Sequence, residues 1–461
     1  MTMTRRALLG SGAAASAIAM ARRASAQAHH HHPPQPAPPG PAAPAPAPAA
    51  PAAADIVPAP PVASSPVIAL PRPPAGERYT PVIVPDGHTL PFERRDGVKV
   101  FHLIAGPIKH QFAPGLDVFA WGYNGTTPGP LIEAVVGDRV RIYVTNQLPE
   151  PTSVHWHGMF VPNGMDGVSG LTQEAIPPGK TFKYEFTRGK PGTFMYHPHF
   201  DEMTQIALGM VGMVVVHPRG PAPRRVRDFS LMTHEWKVPI GAARPDPLAM
   251  TDFNVLTFNS KSFPATTPLA VELGDLVRIR IGNLGPMDHH PIHFHGHAFQ
   301  VVETDGGTVP VSARFPETTV LVPTGTVRVI EFIADAPGDW PLHCHMTHHA
   351  MNQMGHEAPN LVGVDTSGLD DQLGALVPGY MTMGGTGMGE MMHMKQPRNA
   401  ISMVGGKGPF DQIDMGGMFT IVKIRPQLTA ETAAAWYEHP PGTVAALASD
   451  SDLARDGIRV R

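Results

Sequence analysis

The sequence has few of the features expected of a disulfide-stapled, nucleic-acid-binding or membrane-spanning protein. It contains one cysteine, Cys344, which excludes an intrachain disulfide. Charged residues make up only 16% of the chain and the formal net charge is -4, so no attraction to nucleic acid is expected. Beyond an N-terminal segment, no run is long and apolar enough to cross a bilayer, so no membrane span is predicted.

Four residue types are abundant and indicate what kind of protein this is. The chain has 53 prolines and 47 glycines, which favour short strands joined by turns over long helices. It also has 25 histidines and 24 methionines. Imidazole and thioether groups together favour soft or borderline metals, copper above all.

The N-terminus predicts export. Arg5-Arg6 precedes an apolar run, and Ala24-Ser25-Ala26 forms a small-residue cleavage site, which together are typical of a twin-arginine signal peptide over residues 1–26. We therefore expect a periplasmic or secreted protein. Residues 27–76 are rich in Pro and Ala and predict a disordered linker. The His29–His32 run within it is interpreted as a solvated stretch, with metal binding as the alternative.

An internal repeat predicts two similar domains. His155-Trp-His157-Gly recurs as His293-Phe-His295-Gly, and Pro191-Gly-Thr-Phe-Met-Tyr-His-Pro-His199 recurs as Pro337-Gly-Asp-Trp-Pro-Leu-His-Cys-His345. The strands between these motifs are short and alternate in hydrophobicity. We predict an all-β protein with two β-sandwich domains over residues 77–220 and 225–427, followed by a tail over residues 428–461.

Each repeat carries two His-X-His pairs. In a strand the side chains at i and i+2 point the same way, so each pair can direct two imidazoles at one site. Eight imidazoles are too many for one ion and predict a metal cluster. The pairs are His155/His157, His197/His199, His293/His295 and His343/His345.

The second repeat carries an additional set of possible ligands. Two His, one Cys and a distant Met are the ligands of a blue-copper electron-transfer site, and they are found here as His290, Cys344, His349 and Met354. Cys344 lies between His343 and His345, so electrons could pass from this site to the cluster. The equivalent positions of the first repeat cannot form such a site, because they hold Thr152, Pro198, Met203 and Leu208.

These motifs resemble the four copper motifs of multicopper oxidases, and their close spacing resembles the two-domain, laccase-like subgroup. The resemblance covers about residues 77–423 and implies cupredoxin-like Greek-key sandwiches, with type 1 copper only in the second. It implies four coppers per functional unit: one type 1, one type 2 and two type 3. By resemblance, the type 2 ligands are His155 and His293, and the type 3 ligands are His157, His197, His199, His295, His343 and His345.

The resemblance carries two further implications. Asp166 matches a carboxylate that family members use to deliver protons to oxygen, although a turn residue before Gly167 is the alternative interpretation. In the two-domain subgroup, three chains form a ring and each cluster lies between neighbouring chains. We therefore expect a homotrimer with interchain trinuclear clusters.

The expected activity is the oxidation of a small reducing substrate, such as a phenol, an aromatic amine or a low-valent metal ion, coupled to reduction of O₂ to water. A Met-rich stretch at about residues 380–418 adds a cuprous oxidase as the alternative. A copper nitrite reductase and a non-enzymatic copper-sequestering protein are weaker alternatives, because neither requires eight paired imidazoles. The candidate Cu(I) ligands are Met381, Met383, Met388, Met391, Met392 and Met394. A flexible Gly/Met loop that packs over a hydrophobic surface is the alternative interpretation of this stretch.

Overall fold

The structure is a computed structural model. It describes residues 56–60, 65–220, 226–352, 376, 398–401 and 405–460. The predicted signal peptide, most of the predicted linker, Met354 and the candidate Cu(I) ligands from Met381 to Met394 lie outside the described residues.

The first repeat forms two sheets that face each other. Half-buried strands alternate as the sequence predicts: in Arg139–Asn146, Val140, Ile142 and Val144 are fully buried while their neighbours are not. One sheet contains β1 Glu93–Arg95, β2 Val98–Ala113, β3 Leu116–Tyr123, β5 Arg139–Asn146 and β6 Thr181–Thr187. The other contains β4 Ile132–Val135, β7 Gly192–Tyr196 and β8 Gly212–His217, and helix α1 Glu202–Ala207 precedes β8.

The second repeat has the same plan with more strands. One sheet contains β9 Val226–Trp236, β10 Val255–Phe258, β12 Leu276–Asn283, β14 Phe299–Thr304, β15 Gly307–Thr308, β16 Pro316–Glu317 and β18 Thr326–Ile333. The facing sheet contains β11 Leu269–Glu272, β13 His290–Phe294, β17 Thr319–Val322, β19 Gly338–Cys344 and β22 Phe419–Arg425. A short hairpin, β20 Lys407–Gly408 and β21 Asp411–Gln412, and helices α2 Ala430–Ala434 and α3 Asp450–Arg455 complete it.

The two repeats share their strand pairings. β2 lies parallel to β5 as β9 lies parallel to β12, and β4 lies parallel to β8 as β11 lies parallel to β22. The all-β, sandwich fold class predicted from the sequence is confirmed. No helix in the described part of the chain is long and apolar enough to span a membrane.

A hydrophobic core joins the two sandwiches. It is built from Met195, Val211 and Met213 of the first repeat and from Met232 and Val327 of the second, all buried. A partly buried polar contact supplements it, because the Thr193 hydroxyl donates to the Glu303 carboxylate at 3.1 Å across the same boundary. The burial of this surface stabilises the pair of domains as one unit.

Part of the predicted linker contacts the sandwiches. Val57 is buried in a cluster with Ile108 and Phe112, and its backbone N–H donates to the Pro107 carbonyl at 2.8 Å. The segment from residue 65 onward also contacts the second repeat through Arg227, whose guanidinium donates to the carbonyls of Val67 and Ile68.

Candidate metal centres

Three buried side chains of the second domain converge on one point. The Nδ1 atoms of His290 and His349 lie 3.2 Å apart, and the Cys344 Sγ lies 3.8 Å and 3.5 Å from them. Exposed fractions are 0% for His290 and Cys344 and 2% for His349. Metal–nitrogen and metal–sulfur bonds of about 2.0–2.3 Å place donor atoms about this far apart, so the three fit a single ion.

Two carboxylates hold the far side of these imidazoles. Glu235 Oε2 lies 3.3 Å from His290 Nε2, and Asp288 Oδ2 lies 3.3 Å from His349 Nε2. Such contacts fix the tautomer and ring orientation, so that Nδ1 is left for the metal. Burial acts to raise the pKa of Glu235, but the hydrogen bond to His290, the charges of His290 and His234 and the backbone N–H of Asp288 together outweigh it, so the pKa is lowered. Glu235 lies in β9, far from the motifs in sequence, and neither carboxylate was predicted from the sequence.

The donor set suits copper. Burial raises the pKa of the Cys344 thiol to about 12, so a nearby cation is needed to hold it as the thiolate. A buried His₂Cys set is the arrangement of blue-copper electron-transfer sites. Met354, predicted as the distant fourth ligand, lies outside the described residues.

The cysteine strand connects this trio to a second group of imidazoles. His343 and Cys344 are adjacent at the end of β19 and point to opposite faces, because strand side chains alternate. Ile292 pairs with Cys344 and His293 with His343 in the register between β13 and β19. His343 Nδ1 also lies 2.8 Å from the Cys344 carbonyl oxygen.

The four paired histidines of the second domain form one group. The Nε2 atoms of His295 and His343 lie 3.1 Å apart, and the rings of His293 and His345 lie 5.3 Å apart. His293 Nδ1 is 2.8 Å from the Thr318 carbonyl, which leaves Nε2 for a metal. Burial lowers the pKa of His343 to about 4, so its ring is neutral and able to bind metal.

The first domain forms the corresponding group. An antiparallel bridge pairs His155 with His197, as His293 pairs with His343. His157 Nδ1 lies 3.2 Å from His197 Nε2, and the rings of His155 and His199 lie 5.7 Å apart. Burial lowers the pKa of His197 to about 3, which again favours the neutral ring.

Acidic side chains flank the first-domain group. Asp166 Oδ1 lies 3.5 Å from His155 Nδ1, although the closer contact of that nitrogen, at 2.8 Å, is with the Asp166 carbonyl. Glu202, which the sequence analysis missed, lies 3.4 Å from His197 and 3.9 Å from His199 through its two carboxylate oxygens. Both carboxylates are partly exposed, so they could exchange protons with solvent.

The two four-histidine groups lie at opposite ends of β17. His293 Nδ1 contacts the backbone of Thr318 and the hydroxyl of Thr319 at the start of this strand. His157 Cε1 lies 3.7 Å from the point where a Cβ atom on Gly325 would lie. Gly325 is three residues beyond Val322, the last residue of the strand. A four-residue strand spans about 10 Å. Within one chain, therefore, the groups lie apart.

The first domain has different groups where the second has its His₂Cys trio. Thr152 donates its hydroxyl to the buried Gln205 at 2.7 Å, Met203 is largely exposed, and Leu208 is packed in the core. Pro198 stands in place of the cysteine. Two further histidines near these motifs make other contacts: His289 Nδ1 accepts from the Thr324 N–H at 3.1 Å, and the His297 ring stacks on Phe294.

This combination of a buried His₂Cys site and paired imidazoles defines a copper-binding protein built from two β-sandwiches. Comparison with known proteins agrees. Residues 107–221 and 239–362 each match a family model described as multicopper oxidase. Together the two matches cover more than half of the chain, and the chain belongs to the multicopper oxidase family.

Individual relatives are similar over part of their length. The blue copper oxidase of Nitrosomonas europaea superposes with a TM-score of 0.53 at 27% identity, over 70% of this chain and 85% of that one. An iron transport multicopper oxidase of Epichloe festucae is 35% identical over 40% of this chain and 31% of its own length. Laccase-1 of Botryotinia fuckeliana is 32% identical over 58% of this chain and 52% of its own length. The chain thus spans about a third to a half of these curated relatives.

Proposed function

We propose that the protein is a laccase-like oxidase that couples oxidation of a small donor to reduction of O₂. Four one-electron donations and four protons convert one O₂ into two waters. The observation that carries the proposal is the placement of Cys344, whose sulfur belongs to the His₂Cys trio while its neighbour His343 belongs to a four-histidine group. This arrangement separates the point of electron entry from the point of oxygen reduction and joins them by one peptide unit.

Copper, when bound, supplies the one-electron redox chemistry and the oxygen binding. His290, Cys344 and His349 would hold type 1 copper. His155 and His293 would hold type 2 copper, and the remaining six paired histidines the two type 3 coppers, as the resemblance implies. The Cys344 carbonyl, 2.8 Å from His343 Nδ1, offers a hydrogen-bonded connection parallel to the covalent one. Asp166 and Glu202 would hold protons beside the first-domain imidazoles.

Copper content and oxygen uptake test the activity. Copper-loaded protein should show an intense blue absorption and consume O₂ with a phenol, with two waters formed per O₂ and no released peroxide. Blue protein that consumes no O₂ with any donor would instead indicate sequestration. Reduction of nitrite without oxygen uptake would indicate the nitrite reductase alternative.

We further propose that three chains assemble into a ring, with each cluster made by the first domain of one chain and the second domain of the next. The separation of the two groups along β17 supports this, because one chain cannot bring its own eight imidazoles together without rearrangement. Exposed apolar side chains beside both groups also support it, since such patches mark interaction surfaces. These are Phe160 and Leu171, which follow the His155/His157 pair in sequence, Phe315 and Leu321, which flank Thr318 and Thr319, and Met346, which follows His345.

Complementation between inactive variants tests this assembly. His155→Ala and His343→Ala chains should each form inactive rings. In a random mixture about a quarter of the interfaces would pair an intact first domain with an intact second domain, so activity should return. Verified mixed rings that bind copper and reduce no O₂ would contradict interchain clusters. As a control, tagged and untagged wild-type chains are mixed in the same way. Co-purification of the untagged chains with the tag shows that chains mix within rings.

A cuprous oxidase is the second candidate. The thioethers between Met381 and Met394 are concentrated in a short stretch, and thioethers bind Cu(I). Fe(II) should be tested as a donor beside Cu(I), because the Epichloe festucae relative is an iron transport multicopper oxidase. Deleting residues 380–394 should lower Cu(I) oxidation severalfold more than oxidation of a bulky phenol. Equal loss for both donors would show destabilisation and contradict a role in Cu(I) delivery.

We also propose that the twin-arginine segment directs export to the periplasm or beyond, on the evidence of Arg5-Arg6 and the small-residue cleavage site. Replacing both arginines with lysine should retain the protein in the cytoplasm. Fractionation with immunodetection would measure this.

A further inference from the structure

The type 1 trio lies between the two four-histidine groups of its own chain. His290 pairs with Val322 at one end of β17, while His293 pairs with Thr319 at the other end. Beyond Val322 the chain turns through Pro323-Thr324-Gly325 and reaches the first-domain His157. Each type 1 site thus has one group on its Cys344 side and another beyond this turn.

Hydrogen bonds connect the turn to the type 1 ligands. Asp288 contacts His349 Nε2 through its side chain, at 3.3 Å, and its carbonyl accepts from the Thr324 hydroxyl at 2.8 Å. Asn283 reinforces the connection, because its amide donates to the same Asp288 carbonyl at 2.9 Å and its own carbonyl accepts from Gly325 N–H at 2.9 Å. The turn is therefore fixed relative to His349.

The far side of the turn contacts a cluster ligand of the first domain. Gly325 has a φ of +76°, which L side chains rarely adopt, and its Cβ position lies 3.7 Å from His157 Cε1. Burial lowers the pKa of His157, and a hydrogen bond with the Gly325 backbone opposes that shift. Asp305, paired with Arg328 at 2.9 Å, also lies on the second-domain side of this boundary, with its carbonyl 3.6 Å from the Cβ position of Gly158.

We propose that the Pro323-Thr324-Gly325 turn is a positioning element that couples the type 1 site to the first-domain histidine group of the same chain. The consequence of this coupling for the whole assembly rests on the interchain clusters proposed above. In a ring, the group reached through the turn belongs to a different cluster from the group reached through Cys344. Every type 1 site is then linked to two clusters, and a change at one cluster is transmitted to the donor site of the next.

A double-mutant cycle on the type 1 midpoint potential tests the coupling. His157→Gln should shift the potential in the full-length, copper-loaded protein, and Thr324→Val should reduce that shift by deleting the bond to Asp288. The expected coupling is a twofold or larger change in the Cu(I)/Cu(II) equilibrium, about 18 mV for a one-electron couple. The parallel readout is the copper hyperfine splitting of the type 1 site in electron paramagnetic resonance.

Two variants control for simple loss of rigidity. Thr326 donates its hydroxyl to the Pro323 carbonyl at 2.8 Å, so Thr326→Val removes a similar bond from the same turn without touching Asp288. In the Thr326→Val background, His157→Gln should shift the type 1 potential as much as in the wild type. Thr324→Ser keeps a hydroxyl, so the shift should be of wild-type size in that background too. The proposal would be overturned if His157→Gln shifted the potential equally in the wild-type and Thr324→Val backgrounds. It would also be overturned if the shift were lost in the Thr326→Val background alone. Particle mass, measured on the same samples, shows separately whether the ring exists.

Discussion

The two sandwiches of this chain have nearly the same backbone plan and different chemistry. Both pair their histidine motifs across antiparallel strands, His155 with His197 and His293 with His343. Yet at the position where the second domain holds His290, the first holds Thr152, which is bonded to Gln205. The paired-imidazole group thus follows from the strand register that both domains share, whereas the His₂Cys trio depends on a few side chains that only one domain has.

The largest expected effect comes from removing the residue that makes the domains differ most. Cys344→Ser should abolish the blue absorption and turnover with every donor, because Cys344 is the only thiol in the chain. The four-histidine groups do not contain it and should still bind copper. Absorption spectroscopy and metal analysis would measure both. A variant that stays blue would contradict the assignment of the type 1 site to the second domain.

A smaller effect is expected from a buried carboxylate, and the first domain provides a matched control. Glu235→Gln removes a negative charge beside His290, which should favour Cu(I) and raise the type 1 midpoint potential by tens of millivolts; about 59 mV corresponds to a tenfold change. Glu133 contacts His217 at 2.8 Å in a similar buried pair within the first domain.

The paired variant Glu133→Gln should lower stability and leave the potential unchanged. Redox titration of both proteins, together with urea unfolding, would separate the two effects. A similar potential shift in both variants would show that the result reflects general loosening of the fold, and the special role of Glu235 would be wrong.

The smallest effect concerns the aromatic residue between the paired histidines. Trp156 and Phe294 occupy equivalent, fully buried positions, and the indole N–H of Trp156 has no hydrogen-bond partner among the described residues. Trp156→Phe should cost only about 1 kcal/mol of unfolding free energy, since the volume lost is small and no hydrogen bond is lost. Phe294→Trp should cost about 1–3 kcal/mol through overpacking. Chemical denaturation of the metal-free proteins would measure this, and a larger loss for Trp156→Phe would contradict it.

Sequence reasoning reached the fold class and the copper motifs because both depend on local patterns. Alternation predicted strands such as β5, and the spacing of His343, Cys344 and His345 predicted two faces of one strand. Glu235 and Gly325 could not be predicted, because they meet the site only after strands distant in sequence are brought together. Glu202 carried a weak signal, since it follows His199 by three residues. The contact of Val57 with the first domain was also beyond a prediction based on composition alone.

The methionine-lined core between the domains limits how this sequence can change over generations. Met195 and Met213 come from the first repeat and Met232 from the second, and all three surround Gly282. Residues that touch across such a boundary have coupled energetic effects. A bulkier side chain from one repeat therefore fits only if a partner from the other repeat is smaller. The two repeats differ at their candidate metal ligands, but at this core the size of each side chain constrains the size of its neighbours.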